Sequence, residues 1–300
     1  SRFNIETQVM LNITKRRQAS DPKKYNAGGH FLAGAYDFGK TQSNESCVLV
    51  EKIEGQSLGD CLEAGQKINP EMLYIISYSI IAAIRYLHEY NIIHRDIKPD
   101  NILLEMNRGI LKRARLIDLG IIKLNNRQKG LTEVGAFVGT LITSAPEQIL
   151  GLEVSKKTDY YALGAVLYMA ITGELARQKF VQYMMTGGRF IAALKGISNI
   201  EELPVFQSQV DMEESLNPFD LITPRYANLR SYIEKLMSLR QEDRPQDIEE
   251  LAELNEGAFK SLGVAVNHIK TMMWNSRKDR KPFKQRMSFD PVKIPKNFPK

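Results

Sequence analysis

At 300 residues, 43% hydrophobic and 25% charged, the chain has room for one large globular domain or two ordinary ones, and it is not biased toward disorder. Two cysteines, Cys47 and Cys61, are too few for a disulfide framework and stand in no metal-ligand spacing, so a reducing, cytoplasmic setting is expected. The net charge of +6 is concentrated at residues 277–300, where nine Lys or Arg face Asp279 and Asp290; the longest apolar run, residues 72–84, carries Tyr and Ser and falls short of the ~20 residues of a membrane span.

In chain order, Phe3, Ile5, Val9, Met10 and Ile13 follow a helical spacing that the polar run ending at Gly29 terminates. "FLAGAYDFG" and "CVLVEKIEG" read as two strands separated by the turn-like "KTQSNES". A long helix is expected from Pro70 to Tyr90, with Asn69 or Pro70 at its start. "NILLEMNRGILKRARLIDLG" then alternates short apolar runs about the turn "MNRG", which predicts a hairpin. Beyond residue 155 the pattern is helical: "TDYYALGAVLYMAITGE" is apolar almost all round and closed by Gly173, and "RYANLRSYIEKLMSL" and "PQDIEELAELNEGAF" are amphipathic, the latter opened by Pro245. Residues 174–224 show only weak periodicity and receive no assignment.

Three motifs in order carry chemistry: "HRDIKPDN" from His94, "IDLG" from Ile117 and "SAPEQ" from Ser144. Taken singly, Asp96 or Asn101 could cap the following hairpin, and His94 could be an ordinary core histidine. Together the motifs resemble a eukaryotic-like protein serine/threonine kinase over residues 3 to about 262. The resemblance implies Asp96 as the group that orients and deprotonates the substrate hydroxyl. It implies Asn101 and Asp118 as oxygen ligands for Mg2+, and Lys98 as the cation facing the γ-phosphate of ATP. It places His94 in a packing role beside Leu119, pairs Glu147 with Arg244, and has Asp159 holding the catalytic-loop backbone. Thr140 would bridge Asp96 and Lys98. Two positions depart from the family pattern: Leu119 replaces the usual Phe, and Thr143 stands where an aromatic is common. The second alters the floor on which a peptide would dock. Arg95 would bind a phosphate on Thr132, or alternatively bond backbone carbonyls.

Upstream, "VLVEKIEGQSL" resembles the segment bordering an adenine pocket, with Val50 at its back, backbone groups offered from Glu51 to Ile53, and Leu103 beneath the ring. Glu6, in "FNIETQVML", would be the carboxylate that pairs with the phosphate-binding lysine. Accepting "AGGHFLAG" and Lys52 as phosphate loop and lysine would leave too few residues before Asp96 for the elements already placed, so that lysine is expected before Ser1, in strands this sequence does not include.

The expected fold is α+β, a bilobal kinase fold with residues 1–53 as a partial N-lobe, 54–262 as a mainly helical C-lobe, and 263–300 as a basic extension, extended or partly disordered. The implied function is transfer of the γ-phosphoryl group of ATP to Ser or Thr of protein substrates, with ATP and Mg2+ as cofactors. The rival is a kinase-like interaction or allosteric module without catalysis. The basic tail suits an acidic partner or nucleic acid, or is simply a solvated tail. "RRQAS" at Ser20 and "KQRMS" at Ser288 are candidate autophosphorylation or pseudosubstrate sites, or ordinary surface loops.

Overall fold

A computed structural model describes Leu11 and residues 27–40, 46–118, 143–150, 152–174 and 218–275. The helix expected at residues 3–13 therefore lies outside the described residues, except that Leu11 is helical and packs half-buried against the core.

The organising element is a 20-residue helix, Pro70–Glu89. Its start has two causes. The Asn69 side chain accepts from Met72 N at 2.8 Å, and Pro70 occupies a first-turn position where its missing N–H leaves nothing unsatisfied. Leu73, Tyr74, Ile76, Ala83, Ile84 and Leu87 are wholly buried. At roughly 1.5–3 kcal/mol for each large apolar side chain removed from water, this helix is the largest contributor to the core among the described elements.

Two antiparallel sheets precede and follow it. Strands β1 (Ala35–Lys40) and β2 (Ser46–Val50) form one, at the two places where the sequence predicts strands. The second joins β3 (Gln56–Ser57), β4 (Ile102–Asn107) and β5 (Ile110–Leu116) in that order. The β4–β5 turn is made at Arg108 (φ 50°) and Gly109 (φ 79°), the two positive values that a two-residue type I′ hairpin needs. Side chains alternate across this hairpin. Ile102, Leu104, Ala114 and Leu116 are buried against the long helix, while the registers Leu103↔Arg115 and Glu105↔Arg113 put those four residues on the opposite face.

Between β3 and the long helix, a short helix α1 (Leu58–Glu63) forms, making the long helix α2. The strand–helix pair at 56–63 is absent from the sequence expectations, although a signal exists. Ser57 and Asp60 form a reciprocal capping box, with Asp60 N donating to Ser57 Oγ at 2.9 Å and Ser57 N to Asp60 Oδ2 at 3.2 Å.

The glycine-rich "AGGHF" is a 3-10 segment, Ala27–Phe31, laid against α2. A Cβ on Gly28 would stand 2.1 Å from Ala82 O and 2.8 Å from Tyr86 Cβ, so the glycine permits close backbone packing. This accounts for Gly28 without a phosphate, in agreement with the rejection of that stretch as a phosphate loop. The chain then runs beside β5, with Ala33 N donating to Leu116 O at 2.9 Å, before entering β1.

The helical part continues with α3 (Pro146–Leu150), α4 (Lys157–Thr172), α5 (Ala227–Leu236), α6 (Ile248–Ser261) and α7 (Val266–Asn275). Gly173, at φ 74°, ends α4 as expected. Two expectations need correction. Helix α6 is opened by Asp247, whose carboxylate accepts from Glu250 N at 2.8 Å, rather than by Pro245, because the Asp side chain satisfies a first-turn amide and Pro cannot. The extension placed at 263–300 is helical over Val266–Asn275. Val266, Ile269 and Met273 recur at a helical spacing and are buried in the same core, and Lys270 pairs with Glu256 of α6. The highly charged part of the tail, from residue 276, lies outside the described residues.

Glu147 of α3 and Arg244 bind in a two-pronged pair, with Nη1 to Oε1 at 2.7 Å and Nη2 to Oε2 at 2.9 Å. Arg244 spends its remaining donors on the carbonyls of Ser238, Lys157 and Leu239, so all five N–H groups are used. Both side chains are buried. Removing one partner leaves the other's charge stranded, and Arg244→Leu is expected to lose about 3–5 kcal/mol of unfolding free energy in urea titrations. Arg244→Lys keeps the charge but not the fork, and should fall between wild type and the Leu variant. Gly28→Val, which drives a branched side chain into the Ala82 backbone, should lower stability by about 1–3 kcal/mol in the same titrations.

Candidate active site

The loop of residues 94–101 is built on α4. Asp159, fully buried in the first turn of α4, accepts from His94 N (2.9 Å), Arg95 N (2.9 Å) and His88 Nε2 (2.8 Å). His88 ends α2, so one carboxylate joins two helices to the loop. The role expected of Asp159 is thus present in the geometry. His88 was not expected, and only its place near a helix C-terminus hints at it.

His94 is wholly buried, and burial pushes its pKa below the ordinary histidine value against the pull of Asp159 and Asp96. Its Nδ1 accepts from Asp96 N at 3.3 Å, which suits a neutral ring packed under the loop. Leu119, its expected neighbour, lies outside the described residues.

Asp96 and Asn101 are brought into direct contact. Asn101 Nδ2 donates to Asp96 O and to Asp96 Oδ2, each at 2.8 Å. The side-chain amide nitrogen is thereby turned toward the aspartate, which leaves Oδ1 as the acceptor end of Asn101. Pro99–Asn101 is a single 3-10 turn, started by the half-buried Lys98, whose carbonyl accepts from Asn101 N at 3.0 Å. Ile117 N donates to Asn101 O at 2.9 Å, so the exposed Asp118 follows directly on a residue bonded to Asn101. The oxygen set of Asn101 and Asp118 suits a hard divalent cation.

Two non-glycine residues here adopt left-handed backbone, Arg95 at φ 66° and Asp118 at φ 52°. Each such conformation costs of order 1–3 kcal/mol and persists only where surroundings over-determine it. Residue type alone predicts neither.

Of the residues expected around an adenine, Val50 ends β2 with its side chain exposed, and Leu103 is half-buried on the outer face of β4. Glu51 N donates to Gly34 O at 2.8 Å, so Glu51 can offer a purine its carbonyl but not its amide, which narrows the donors expected from Glu51 to Ile53. The Glu51 carboxylate has a further use. It accepts from Arg115 Nη2 at 2.5 Å and from Gly34 N at 3.4 Å. Arg115 is itself buried, donates to Leu32 O at 2.7 Å, and ties the exit of β2 to β5. Arg113 pairs in the same layer with Glu105, Nε to Oε2 at 2.6 Å. The alternating arginines of "LKRARL" are a signal for this layer that the motifs did not include.

Glu6, Thr132 and Thr140 lie outside the described residues. Among the described residues no helix is long and apolar enough to cross a membrane.

Comparison with known proteins bears on the same residues. The chain is 27% identical over 231 residues to serine/threonine-protein kinase pkn2 of Myxococcus xanthus, covering 76% of this chain and 25% of that protein. It is 30% identical over 177 residues to serine/threonine-protein kinase PknB of Mycolicibacterium smegmatis, covering 58% of this chain and 27% of that protein. A third relative, serine/threonine-protein kinase pkn3 of Myxococcus xanthus, is 31% identical over 142 residues, 46% of this chain and 26% of that protein. The chain spans about a quarter of the length of these curated relatives. A family model described as a protein kinase domain matches residues 30–254, which takes in the Asp159-anchored loop, the Asp96–Asn101 pair and the Glu147–Arg244 bridge. The chain belongs to the protein kinase family.

Proposed function

We propose that this chain supplies the catalytic loop and acceptor-binding part of a protein serine/threonine kinase, which transfers the γ-phosphoryl group of ATP to Ser or Thr hydroxyls. The observation that carries the reading is the Asn101 side chain, whose nitrogen donates to the main-chain oxygen and to one carboxylate oxygen of Asp96, so that its carbonyl is set apart for another ligand. A scaffold without catalysis has no physical need of that division of labour.

Asp96 takes the position of the group that orients the acceptor hydroxyl and receives its proton. It is 5% exposed and fixed at its carbonyl, its amide and one carboxylate oxygen. Phosphoryl transfer passes through a loose transition state, so placement and charge compensation are the main contributions a protein can make. Lys98, two residues on, supplies a cation toward the transferred group. Magnesium held by Asn101 Oδ1 and Asp118 would offset negative charge on the phosphates. The adenine would lie between Val50 and Leu103, met by the carbonyl of Glu51 and by Ile53. Glu6 and Thr140 complete the set, as partners of a phosphate-binding lysine and of Asp96 with Lys98. The family's use of ATP supports this arrangement.

Asp96→Asn and Asp118→Asn in the full-length protein are expected to lower transfer of radiolabelled phosphate to a Ser- or Thr-containing protein by about 10²- to 10⁴-fold. Neither should change the melting temperature much, since Asn at 96 can still accept from Asn101. Equal incorporation by wild type and both variants would leave the interaction-module reading in its place. For regulation, we take Thr132 as the acceptor whose phosphate Arg95 would bind. Thr132→Ala should then reduce activity, and mass spectrometry of active protein should find the residue phosphorylated; full activity with Thr132 unmodified excludes it.

A further inference from the structure

The segment that opens α3 reaches back into the catalytic loop through Thr143 and through Gln148, the last residue of "SAPEQ". Thr143, 3% exposed, donates its hydroxyl to Ile97 O at 2.6 Å. Gln148 donates from Nε2 to Arg95 O at 2.9 Å, while its Oε1 accepts from Ala145 N at 3.1 Å. The loop is therefore gripped on both edges. Its amides at His94 and Arg95 are held by Asp159 on α4, and its carbonyls at Arg95 and Ile97 by residues 143 and 148.

We propose that Thr143 and Gln148 are positioning residues that set Asp96 and Lys98 against the segment on which an acceptor peptide docks, an inference that rests on the kinase reading above. The Arg95 carbonyl belongs to the peptide plane entering Asp96, and the Ile97 carbonyl to the plane entering Lys98. Fixing both planes fixes the directions in which the two side chains leave the backbone. The need is real, because Arg95 at φ 66° sits in a conformation that an unrestrained residue leaves. Thr143 stands where an aromatic is common in the resemblance. Here a buried hydroxyl replaces ring area with a directed bond to the loop.

The test uses full-length protein carrying Thr143→Val, which keeps the shape and removes the hydroxyl, with Thr143→Ser as the conservative restoration and Gln148→Leu as the second tether. Thr143→Val should lower kcat for peptide phosphorylation by about 10- to 100-fold with KM for ATP within about twofold, since misplacement of a reacting group acts on the transition state rather than on nucleotide binding. Thr143→Ser should recover most of kcat, and Gln148→Leu should resemble Thr143→Val. Amide hydrogen exchange should rise over residues 94–98 in Thr143→Val and return in Thr143→Ser. Unchanged kcat in Thr143→Val, a Ser variant as poor as Val, a loss that vanishes when rates are referred to the folded fraction, or unaltered exchange over 94–98 would each overturn the inference. A wild type that transfers no phosphate defeats the kinase reading instead, and the exchange arm still decides whether these side chains hold the loop.

Discussion

The carboxylate of Asp159 is the interaction on which the site depends. It is buried without exposure and accepts from three donors, two of them amides of the catalytic loop and the third the ring of His88 at the end of α2. A buried charge of this kind is tolerable only when its lone pairs are fully engaged. Both amides lie in the turn that presents Asp96, so the same bonds that make the charge tolerable also hold the loop. Stability and the placement of Asp96 are here a single constraint. Elsewhere in the helical part, Glu147 and Arg244 follow the same rule, and Thr158 Oγ1 adds a bond to Glu147 at 2.7 Å beside Asp159 itself.

Packing supplies the frame around these polar fixtures. Helix α2 touches the 3-10 segment at Ala27–Phe31, strand β5, α4, α6 and α7, so it serves as the common wall for the sheet and the helices. Two buried serines in this wall are paired. Ser79 donates to Ile75 O and accepts from Ala114 N of β5, and Ser77 bonds Asn255 of α6. Each links α2 to a neighbour at a defined register, which apolar contact alone does not specify.

Legibility in the sequence followed the range of the interactions. The long helix, the β4–β5 hairpin and the helix closed by Gly173 depend on local period, caps and turn residues, and all three were readable. Asp96, Asn101 and Asp118 stand out because they lie in short motifs of fixed spacing, and of the three the structure joins Asp96 directly to Asn101. His88 and Arg115 were not legible, since each acts on a residue 64 or more positions away and nothing in the local pattern marks them; Gln148 lies within "SAPEQ", but its bond to Arg95, 53 positions back, is not legible there. The helix at Val266–Asn275 was missed for another reason. The dense charge after residue 276 dominates the composition of the extension and masks the apolar spacing of Val266, Ile269 and Met273. The helix start at Asp247 instead of Pro245 is a boundary decided by which side chain can accept an amide.

The pair of half-buried Glu51 and buried Arg115 has a mechanical corollary. Arg115 lies on β5 three residues before Asp118, so the exit of β2 and the strand leading to that aspartate move as one piece. Glu51 is held through both its side chain and its amide. Beyond it Lys52, Glu54 and Gly55 are exposed, and a Cβ on Gly55, at φ 157°, would stand 2.1 Å from Leu104 O, so only glycine fits there. The stretch between β2 and β3 is thus held at both ends, by the Glu51–Arg115 pair and by the close approach of Gly55 to β4.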